Sequence, residues 1–383
     1  MIQWQAREHL FLHTIILDGL RPLQGERTTN SLFHILRGRR ANQTYQDVHM
    51  YKLHHYYRMF PAFSRERWDA IVKNLVEQNF VQIVPFRHNA NKWTFSITPL
   101  GEKAWEEGRG QFALDQWKPR LNGISYAQPV RLFWMRLHLM AQTISHLLYQ
   151  ELAFSPIVQD KGVQQWVKQQ LSMPGHRDQW MNQLFDELFS IVNKWEPFLQ
   201  ELFILQLSGA RQAGLTVNQL AYRLDQPPSL IGVYMQAALT DMYRQLTESG
   251  ERDHQHPYPL LASMCTDHAP AQSSGGRLSQ SANATYRMIQ QGLTPEEIVS
   301  LRRLKLSTVE DHLVEMALYC PQWDMSGYIT EEQLQRVAAV SQELGTGRLR
   351  LIKDALGDGY SYLQIRLALA RQGGGKTYAG NRT

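Results

Sequence analysis

Residues Gly292-Leu-Thr-Pro-Glu-Glu-Ile298 form a pattern that occurs twice more, as Gly214-Leu-Thr-Val-Asn-Gln-Leu220 and as Gly359-Tyr-Ser-Tyr-Leu-Gln-Ile365. In each copy a Ser or Thr is followed three residues later by Glu or Gln, which predicts a capping box at the start of a helix. The Gly just upstream is typical of the end of a preceding helix. A helix, a tight turn and a capped helix begin a helix-turn-helix. The pattern therefore predicts a protein built from such units and indicates a role with nucleic acid.

The copy at residue 292 also supplies the second half of a helix-turn-helix. A turn at Arg303-Leu-Lys-Leu306 is followed by a second predicted capping box, Ser307 to Glu310. The helix that begins there carries apolar Val309, Leu313 and Leu318 at helical spacing.

The second helices of two units lack the cations that flank a recognition helix in the major groove. In the C-terminal unit, three acids are predicted to lie where phosphates would be: Glu310, Asp311 and Glu315. In the unit at residue 214, the second helix, residues 229–243, contains no Lys or Arg. We therefore expect both units to dock proteins, or to contact DNA only weakly.

Length and composition predict a globular protein of two or three domains, since the chain has 383 residues and is 43% hydrophobic. No apolar stretch is long enough to span a bilayer. Arg7, Glu8 and His9 interrupt the apolar N-terminal stretch, so it does not resemble a signal peptide. The two cysteines, Cys265 and Cys320, fit a reducing interior. We expect a cytoplasmic location and no membrane partner.

The positive charge is concentrated at one end of the chain. Residues 1–110 hold 15 Lys and Arg against 10 Asp and Glu, a net charge of +5, whereas residues 111–276 hold 12 against 14, a net charge of −2. Phosphate contacts are therefore expected in the first segment.

Residues 1–110 are predicted to form a winged helix. Apolar periodicity predicts helices over residues 4–19, 29–37, 44–58 and 64–78. Two β-rich runs, 80–84 and 93–98, flank a polar loop at 87–92, which indicates a hairpin. Three helices followed by a hairpin is the winged-helix arrangement.

The remainder of the chain is predicted to be helical, which makes the fold class mainly α. Residues 111–250 are expected to form a helical bundle with a helix-turn-helix-like unit at 214–246. Its predicted core stripes are Leu132, Phe133, Leu137, Met140, Ile144, Leu147 and Leu148, and Trp180, Leu184, Phe185, Leu188, Val192 and Trp195. A flexible linker is expected at 251–280, a helix-turn-helix domain at 281–372 and a disordered tail at 373–383.

Three groups in the basic segment are candidates for binding nucleic acid: a loop (Arg37, Gly38, Arg39, Arg40), the third helix of the winged unit (Arg65, Arg67, Lys73) and the hairpin tip (Arg87, His88, Lys92, Trp93). Arginine and lysine hold phosphates, and an exposed aromatic ring can stack on an unpaired base. The alternative is a solvated polar face. Because all three groups lie in the one net-basic segment, we favour binding.

No pattern in the chain indicates catalysis, a cofactor or a metal. No Ser, Cys or carboxylate pair stands in a recognisable catalytic context. His254, His256, Cys265 and His268 are close in sequence, but their spacing does not match a zinc site. We therefore expect a non-enzymatic protein without cofactor or metal.

Several motifs resemble the winged-helix RQC domain of RecQ helicases. They are Ser31-Leu-Phe-His-Ile-Leu-Arg-Gly38, Arg65-Glu-Arg-Trp68 with Ile71 and Leu75, Phe80-Val81, and the closing Ile97-Thr-Pro-Leu-Gly101. Residues 281–372 are similar to the helicase-associated helix-turn-helix domain of RecQ-type proteins. The whole arrangement, including Gly25-Glu-Arg27 and Gln43-Thr-Tyr-Gln-Asp47, resembles the YpbB family. This resemblance covers most of residues 8–372 and is weakest across the middle helices.

The resemblance implies a partner as well as a fold. YpbB-family members are encoded beside a short RecQ-type helicase that lacks these C-terminal modules. In the RQC family, the Leu-Arg-Gly turn and the start of the third helix hold duplex phosphates, which corresponds to Arg37, Arg65 and Arg67. The wing there separates strands, which corresponds to residues 86–93. The chain shows neither the four-cysteine zinc module nor an ATPase motor of RecQ proteins, so another protein would power any unwinding.

The sequence leaves three functions open, of which we favour the first. The first is a DNA-binding accessory subunit of a separate RecQ-type helicase, bound to fork or duplex DNA. The second is a transcriptional regulator that uses the winged helix at a specific promoter site. The third is a protein adaptor whose basic patch is incidental.

Overall fold

The computed structural model describes residues 3–86, 89–151, 153–248, 256–265, 278–345, 347 and 349–375. Within these ranges the chain forms nineteen α-helices and one antiparallel hairpin, which confirms the predicted mainly α fold class. In chain order the elements are α1 Gln3–Leu20, α2 Thr29–Arg37, α3 Asn42–Met50, α4 Arg65–Glu77, β1 Val81–Phe86, β2 Asn89–Ile97, α5 Pro99–Gln111, α6 Leu114–Trp117, α7 Gly123–Leu148, α8 Lys161–Ser172, α9 His176–Val192, α10 Pro197–Gln206, α11 Val217–Leu224, α12 Pro228–Glu248, α13 Pro259–Ser263, α14 Gln280–Gln290, α15 Pro295–Arg302, α16 Leu306–Tyr319, α17 Glu331–Glu343, α18 Leu349–Leu356 and α19 Tyr362–Gly375.

The winged helix consists of α2, α3, α4 and the β1–β2 hairpin. Ser64 caps α4 by accepting the backbone N–H of Arg67 at 3.2 Å, which fixes where the third helix begins. Trp68 on that helix is buried, and its ring lies 5.5 Å from the ring of Phe33 and 6.1 Å from that of Phe63. These aromatic contacts hold α4 against α2 and fix the direction of its outer face.

The hairpin is longer on its second strand than the sequence predicts. Register pairs run from Val81 with Ile97 to Phe86 with Asn89, so residues 89–92 of the predicted polar loop belong to β2. Position 101 requires glycine for a steric reason, because a Cβ there would lie 2.1 Å from the carbonyl oxygen of Phe80. Glycine therefore allows α5 to start directly against the base of the wing.

The predicted helix at 44–58 is wrong in its second half. Helix α3 ends at Met50, and residues 51–62 form turns in which Lys52 and Arg58 adopt positive φ of 55° and 60°. Two left-handed residues in one short segment end a helix. The irregular path lets Leu53, Tyr56 and other apolar side chains of this segment enter the core.

The first hydrophobic core extends beyond the predicted boundary at residue 110. Phe112 and Trp117 belong to the same buried cluster as the winged helix, and so do Leu230 and Val233 of α12. Asp18 of α1 ties these parts together. Its carboxylate accepts from the indole of Trp105 at 2.8 Å, from Lys118 at 2.7 Å and from the hydroxyl of Tyr56. Residues 1–110 therefore do not form a closed unit.

The central bundle follows the predicted stripes with two exceptions. Phe133, Leu137 and Met140 on α7, and Trp180 and Leu184 on α9, are buried in the second core. In contrast, Leu148 and Phe185 are exposed. Leu148 is the last residue of α7, and Phe185 lies on the outer face of α9.

Part of the predicted flexible linker is a docked helix. Leu260, Leu261 and Met264, on and just after α13, are buried in the central core. The Glu187 carboxylate accepts the backbone N–H groups of Leu260 and Leu261 at 3.1 and 2.9 Å, and Arg136 donates to the carbonyl of Met264 at 2.8 Å. The prediction is wrong for residues 256–265, and its other residues before 278 lie outside the described ranges.

Two helix-turn-helix units have the same local construction. Unit one is residues 216–248 (α11 and α12), and unit two is residues 294–319 (α15 and α16). Both first helices have eight residues and a complete capping box, Thr216 with Gln219 and Thr294 with Glu297. Both end at a left-handed residue, Asp225 or Arg303.

The third copy of the pattern also forms its predicted box. Gln364 donates its backbone N–H to Oγ of Ser361 at 3.1 Å, and its side chain accepts from the Ser361 backbone at 2.8 Å. A fourth box, Thr330 with Gln333, caps α17. The pattern missed it because Gly327 stands three residues before the cap instead of two.

The glycines of the three copies have different roles. Only Gly292 ends a helix as predicted, with φ of 88° after α14. Gly214 is instead needed for a close approach, since a Cβ there would lie 2.1 Å from the carbonyl oxygen of Gln206. At the third copy, Gly357 rather than Gly359 adopts the positive φ, of 76°, that ends α18.

The C-terminal helices surround α16, whose residues 312–318 are all buried. Helix α16 begins at Leu306 without a side-chain cap, so the predicted box at Ser307 is wrong. This part of the chain contacts the winged helix, because the ring of Tyr319 lies 6.0 Å from Tyr45 and 5.7 Å from His49 of α3. Helix α19 reaches Gly375, into the predicted tail, and residues 376–383 lie outside the described ranges.

Among the described residues, no helix is both long enough and apolar enough to cross a membrane.

Candidate nucleic-acid interface

The last residue of α2 and the loop that follows it, residues 37–40, present Arg37, Arg39 and Arg40 at the surface. Helix α2 ends here because Gly38 adopts a φ of 70°. A Cβ at position 38 would also lie 2.7 Å from Cβ of Arg58. Glycine is therefore required both for its backbone conformation and for the approach of the segment that carries Arg58.

Three guanidinium groups converge beside α2. Arg37 and Arg65 lie 5.5 and 5.3 Å from the ring centroid of Phe33, and Nη1 of Arg39 lies 3.1 Å from Nε2 of His34. Burial lowers the pKa of His34, and the positive charges of Arg39, Arg65 and Arg37 lower it further. The ring therefore stays neutral near pH 7, and the patch around it is strongly cationic.

Arg58 is a fourth arginine at this site, and no sequence pattern indicated it. Its backbone N–H donates to the carbonyl of Ile35 at 2.9 Å, which places it beside Gly38. The positive charges of Arg40 and Arg58 both act on the hydroxyl of Tyr57, which in turn donates to the carbonyl of Gly38 at 3.2 Å. Only the left-handed φ of Arg58 in a turn, which no sequence pattern signalled, brings it to this loop.

The predicted cations of α4 are less free than those of the loop. Each has a carboxylate partner: Arg65 with Asp69 (2.8 Å), Arg67 with Glu8 (2.6 Å) and Lys73 with Glu77 (3.6 Å). In contrast, within the part of the chain that the structure describes, no carboxylate oxygen lies within 4 Å of the side-chain nitrogens of Arg37, Arg39, Arg40 or Arg58. The outer face of α4 is therefore nearly neutral, and the loop carries the unbalanced positive charge.

Arg67 belongs to a structural contact between three helices. Glu8 of α1 is buried and accepts from Arg67, and it also accepts the backbone N–H of Ser229 at 3.1 Å and its hydroxyl at 2.6 Å. Ser229 lies in the first turn of α12. The carboxylate thus occupies the N-terminal end of the second helix of unit one, a position that favours an anion.

The hairpin tip is described only in part. Trp93 on β2 pairs with Pro85 across the hairpin and is 59% exposed. Arg87 and His88 lie outside the described residues, and so does the side chain of Lys92. The exposed indole is available for stacking on a base.

Two of the three acids of α16 have partners within the protein. Glu315 is buried and accepts the backbone N–H and the hydroxyl of Ser279 at the start of α14, and Asp311 pairs with Arg366 of α19. The prediction that the acids lie where phosphates would be is therefore wrong for these two residues. Helix α16 is nevertheless a poor DNA reader, because most of its length is buried.

The described residues contain no cluster of three or more His, Cys, Asp or Glu side chains that would hold a metal. Both cysteines are buried, and burial raises the pKa of the Cys265 thiol to about 12 and that of Cys320 to about 11. These thiols are poor nucleophiles and poor metal ligands at neutral pH.

Comparison with known proteins supports the predicted C-terminal helix-turn-helix and the family resemblance. A family model for a helix-turn-helix domain matches residues 281–369. Protein YpbB of Bacillus subtilis (strain 168) is 26% identical over 362 residues, an alignment that covers 94% of this chain and 97% of that protein. The resemblance to the YpbB family is thereby confirmed. No solved structure matches the chain significantly. A helix-turn-helix domain is typical of DNA-binding proteins, so the broad function that it suggests is DNA binding.

Proposed function

We propose that this protein, which is similar to YpbB along nearly its whole length, is a non-catalytic DNA-binding subunit that acts with a separate RecQ-type helicase. The winged helix would hold fork or duplex DNA, and the helical remainder would dock the motor. One observation carries the proposal. The arginines of the loop, with Arg58, have no carboxylate partner among the described residues, whereas every predicted cation of α4 has one.

Unbalanced guanidinium groups favour phosphate as a ligand. A paired arginine must give up its carboxylate before it binds a phosphate, while an unpaired exposed one exchanges only water and counterions. Gly38 fixes the loop backbone, so Arg37 and Arg39 are displayed from a rigid turn. We assign Arg37, Arg39, Arg40 and Arg58 to phosphates, and Trp93 to a base exposed at a fork.

The salt dependence of DNA binding tests this assignment. The full chain and the variant Arg37→Gln/Arg39→Gln/Arg40→Gln are titrated with forked and linear duplexes by fluorescence anisotropy at several salt concentrations. We expect weaker binding by the variant. We also expect the slope of log K against log salt to fall in magnitude by about 0.9 for each lost duplex phosphate contact.

A matched control removes three positive charges that already have carboxylate partners: Lys103→Gln, Arg109→Gln and Arg350→Gln, whose partners are Glu107, Asp115 and Asp354. We expect this variant to keep most of the salt slope. Equal slopes for the loop variant and the wild type would show that the loop is only a solvated surface.

The choice of DNA separates the proposed accessory role from a transcriptional regulator. We expect preference for a fork over a linear duplex, with near indifference to sequence. Strong preference for one palindromic duplex would instead favour the regulator. Co-purification with the RecQ-type helicase of the same cell tests the partnership. We propose that both proteins act in the cytoplasm, where the two thiols would remain reduced.

A further inference from the structure

Arg67 differs from the other two predicted cations of α4 in the carboxylate that it contacts. Its Nη2 lies 2.6 Å from Oε1 of Glu8, whose side chain is only 9% exposed. The other two cations pair with Asp69 and Glu77, which are exposed and lie one turn away on the same helix. Exposed pairs of this kind contribute little and exchange readily with other ions, whereas a buried carboxylate that loses its cation strongly destabilises the protein. Arg67 is therefore held by its partner far more firmly than its neighbours are.

Two further contacts hold the carboxylate of Glu8 in its position. It accepts the backbone N–H of Ser229 at 3.1 Å and the hydroxyl of the same residue at 2.6 Å. Helix α1, which carries Glu8, is anchored in the first core by Phe11 and Leu12, three and four positions later. Because both the side chain and its helix are fixed, the carboxylate does not move away from Arg67 when another anion approaches.

The guanidinium of Arg67 is otherwise well placed to meet DNA. Its side chain is 49% exposed. Arg65, in the same first turn of α4, lies beside Phe33 together with Arg37, at 5.3 and 5.5 Å from the ring centroid. A duplex carries a phosphate about every 3.4 Å along each strand, so DNA that is held at Arg37 extends past this turn. The ion pair with Glu8, rather than burial, therefore keeps Arg67 from that DNA.

We propose that Glu8 is an internal competitor of DNA phosphate, which withholds Arg67 from the duplex. This inference rests on the function proposed above and adds a residue that limits how tightly the winged helix holds DNA. It departs from the resemblance to RQC domains, which assigns a duplex phosphate to Arg67. A carboxylate and a phosphate take the same donors of a guanidinium, so the two exclude each other. Each withheld phosphate contact lowers the affinity for DNA of any sequence, which suits a subunit that moves along DNA with a motor.

Two variants of the full chain test this competition by fluorescence anisotropy with a linear duplex at several salt concentrations. Arg67→Gln is expected to leave the slope of log K against log salt unchanged, because Arg67 contacts no phosphate in the wild type. Glu8→Gln removes the negative charge but keeps the shape of the side chain and an acceptor oxygen. It is expected to tighten binding at low salt and to steepen the slope by about 0.9, the value for one additional duplex phosphate contact.

Two further variants separate this competition from a general change in charge. The double variant Glu8→Gln/Arg67→Gln is expected to return the slope to the wild-type value, because the gain passes through Arg67. The matched control is Asp354→Asn, which changes the net charge equally and also frees an arginine, Arg350 of α18, from a carboxylate 3.9 Å away. We expect the control to leave the slope unchanged. Circular dichroism checks that each variant is folded, and if one single variant does not fold, the other decides alone.

Each remaining outcome contradicts a different statement. If Arg67→Gln flattens the slope, Arg67 holds a phosphate in the wild type, and the inference is overturned while the proposed function stands. If Glu8→Gln leaves the slope unchanged, or if the double variant keeps the steeper slope, Glu8 does not compete with phosphate for Arg67, and the inference is again overturned alone. If the wild type does not bind DNA, the proposed function fails and this inference fails with it.

Discussion

The two helix-turn-helix units have the same local structure and different surroundings. The capping threonine, the left-handed residue at the turn and the first residue of the second helix are separated by the same interval in Thr216, Asp225 and Pro228 as in Thr294, Arg303 and Leu306. In unit one, however, the N-terminal end of the second helix is closed, meaning that a carboxylate of the protein itself occupies it. Ser229 there is bound by the carboxylate of Glu8, while the corresponding Ser307 of unit two is exposed.

This difference shows that a helix-turn-helix sequence does not by itself establish a recognition helix. A helix N-terminus attracts an anion, and in unit one the protein supplies that anion from its own α1. Unit two leaves the same end open, but α16 is buried beyond its first turns because α14, α15 and α19 surround it. In neither unit does the second helix present a long free face to DNA, which is consistent with our proposal that the winged helix binds it.

The largest expected effect concerns one buried aliphatic residue in the first helix of each unit, here called the apolar anchor. Leu220 and Ile298 occupy equivalent positions, and both are fully buried. We expect Leu220→Ala and Ile298→Ala each to lower the free energy of unfolding by about 2–5 kcal/mol, because each leaves a cavity. Urea denaturation followed by circular dichroism measures this change.

The control for the anchor prediction is Leu301→Ala, three residues after Ile298, because Leu301 is 64% exposed. We expect it to change stability by less than about 0.5 kcal/mol. A cost below that of the control at either Leu220 or Ile298 would show that the two units do not share the anchor.

An intermediate effect is expected where the units differ. Glu8→Ala removes the carboxylate that accepts two hydrogen bonds from Ser229 and one from Arg67. One hydrogen bond to a charged group contributes about 1.5–3 kcal/mol. We expect the free energy of unfolding to decrease by an amount within that range, measured in the same denaturation assay. Ser307→Ala, at the corresponding position of unit two, should have almost no effect. A similar cost for both changes would contradict the difference between a closed and an open end.

The smallest expected effect is the pH dependence of the stability that each capping box contributes. Hydrogen bonds from the backbone N–H and hydroxyl of Thr294 lower the pKa of Glu297. A lowered folded-state pKa contributes stability above the pKa of the unfolded chain, and that contribution is lost as the pH falls through the folded value. Unit one has Gln219 at this position, which does not titrate.

The cost of removing each cap should therefore depend on pH only in unit two. We expect Thr294→Ala to become less destabilising as the pH falls through the pKa of Glu297, while Thr216→Ala destabilises equally across the range. Thermal unfolding at a series of pH values measures both. Carboxyl chemical shifts of Glu297, followed by NMR, check the direction of its pKa. Parallel pH dependence in the two variants would contradict the assignment.

The candidate interface was predictable where its parts lie close together in the chain. The loop of Arg37, Arg39 and Arg40 follows a short amphipathic helix and a glycine, and the structure places it at the surface. Arg58 was missed because its place beside the loop depends on a turn of irregular backbone. The predicted role of Arg67 did not anticipate its partner Glu8, which is 59 residues away in the chain.

The predicted core stripes were also limited, because burial depends on residues that are distant in the chain. A helix of period 3.6 has its apolar residues on one side, but Phe185 lies beside that stripe in sequence and outside it in space. The segment at 256–265 was expected to be flexible because it is rich in His and Pro. It docks because Leu260, Leu261 and Met264 are buried in the central core and because Glu187 and Arg136 bind its backbone.

The sequence by itself determined the three capping boxes of the repeated pattern, the glycine at the end of α2 and the hairpin, because each depends on contacts between residues a few positions apart. Tertiary structure alone decided which helix N-termini are occupied by a carboxylate of the protein and which cations have a carboxylate partner. Glu8 reaches Ser229 across 221 positions and Arg67 across 59, so their meeting depends on the packing of α1 against α4 and α12. Local pattern fixes how a helix starts. Whether its end faces DNA, a partner or the protein's own carboxylate depends on long-range burial, which no short stretch of sequence contains.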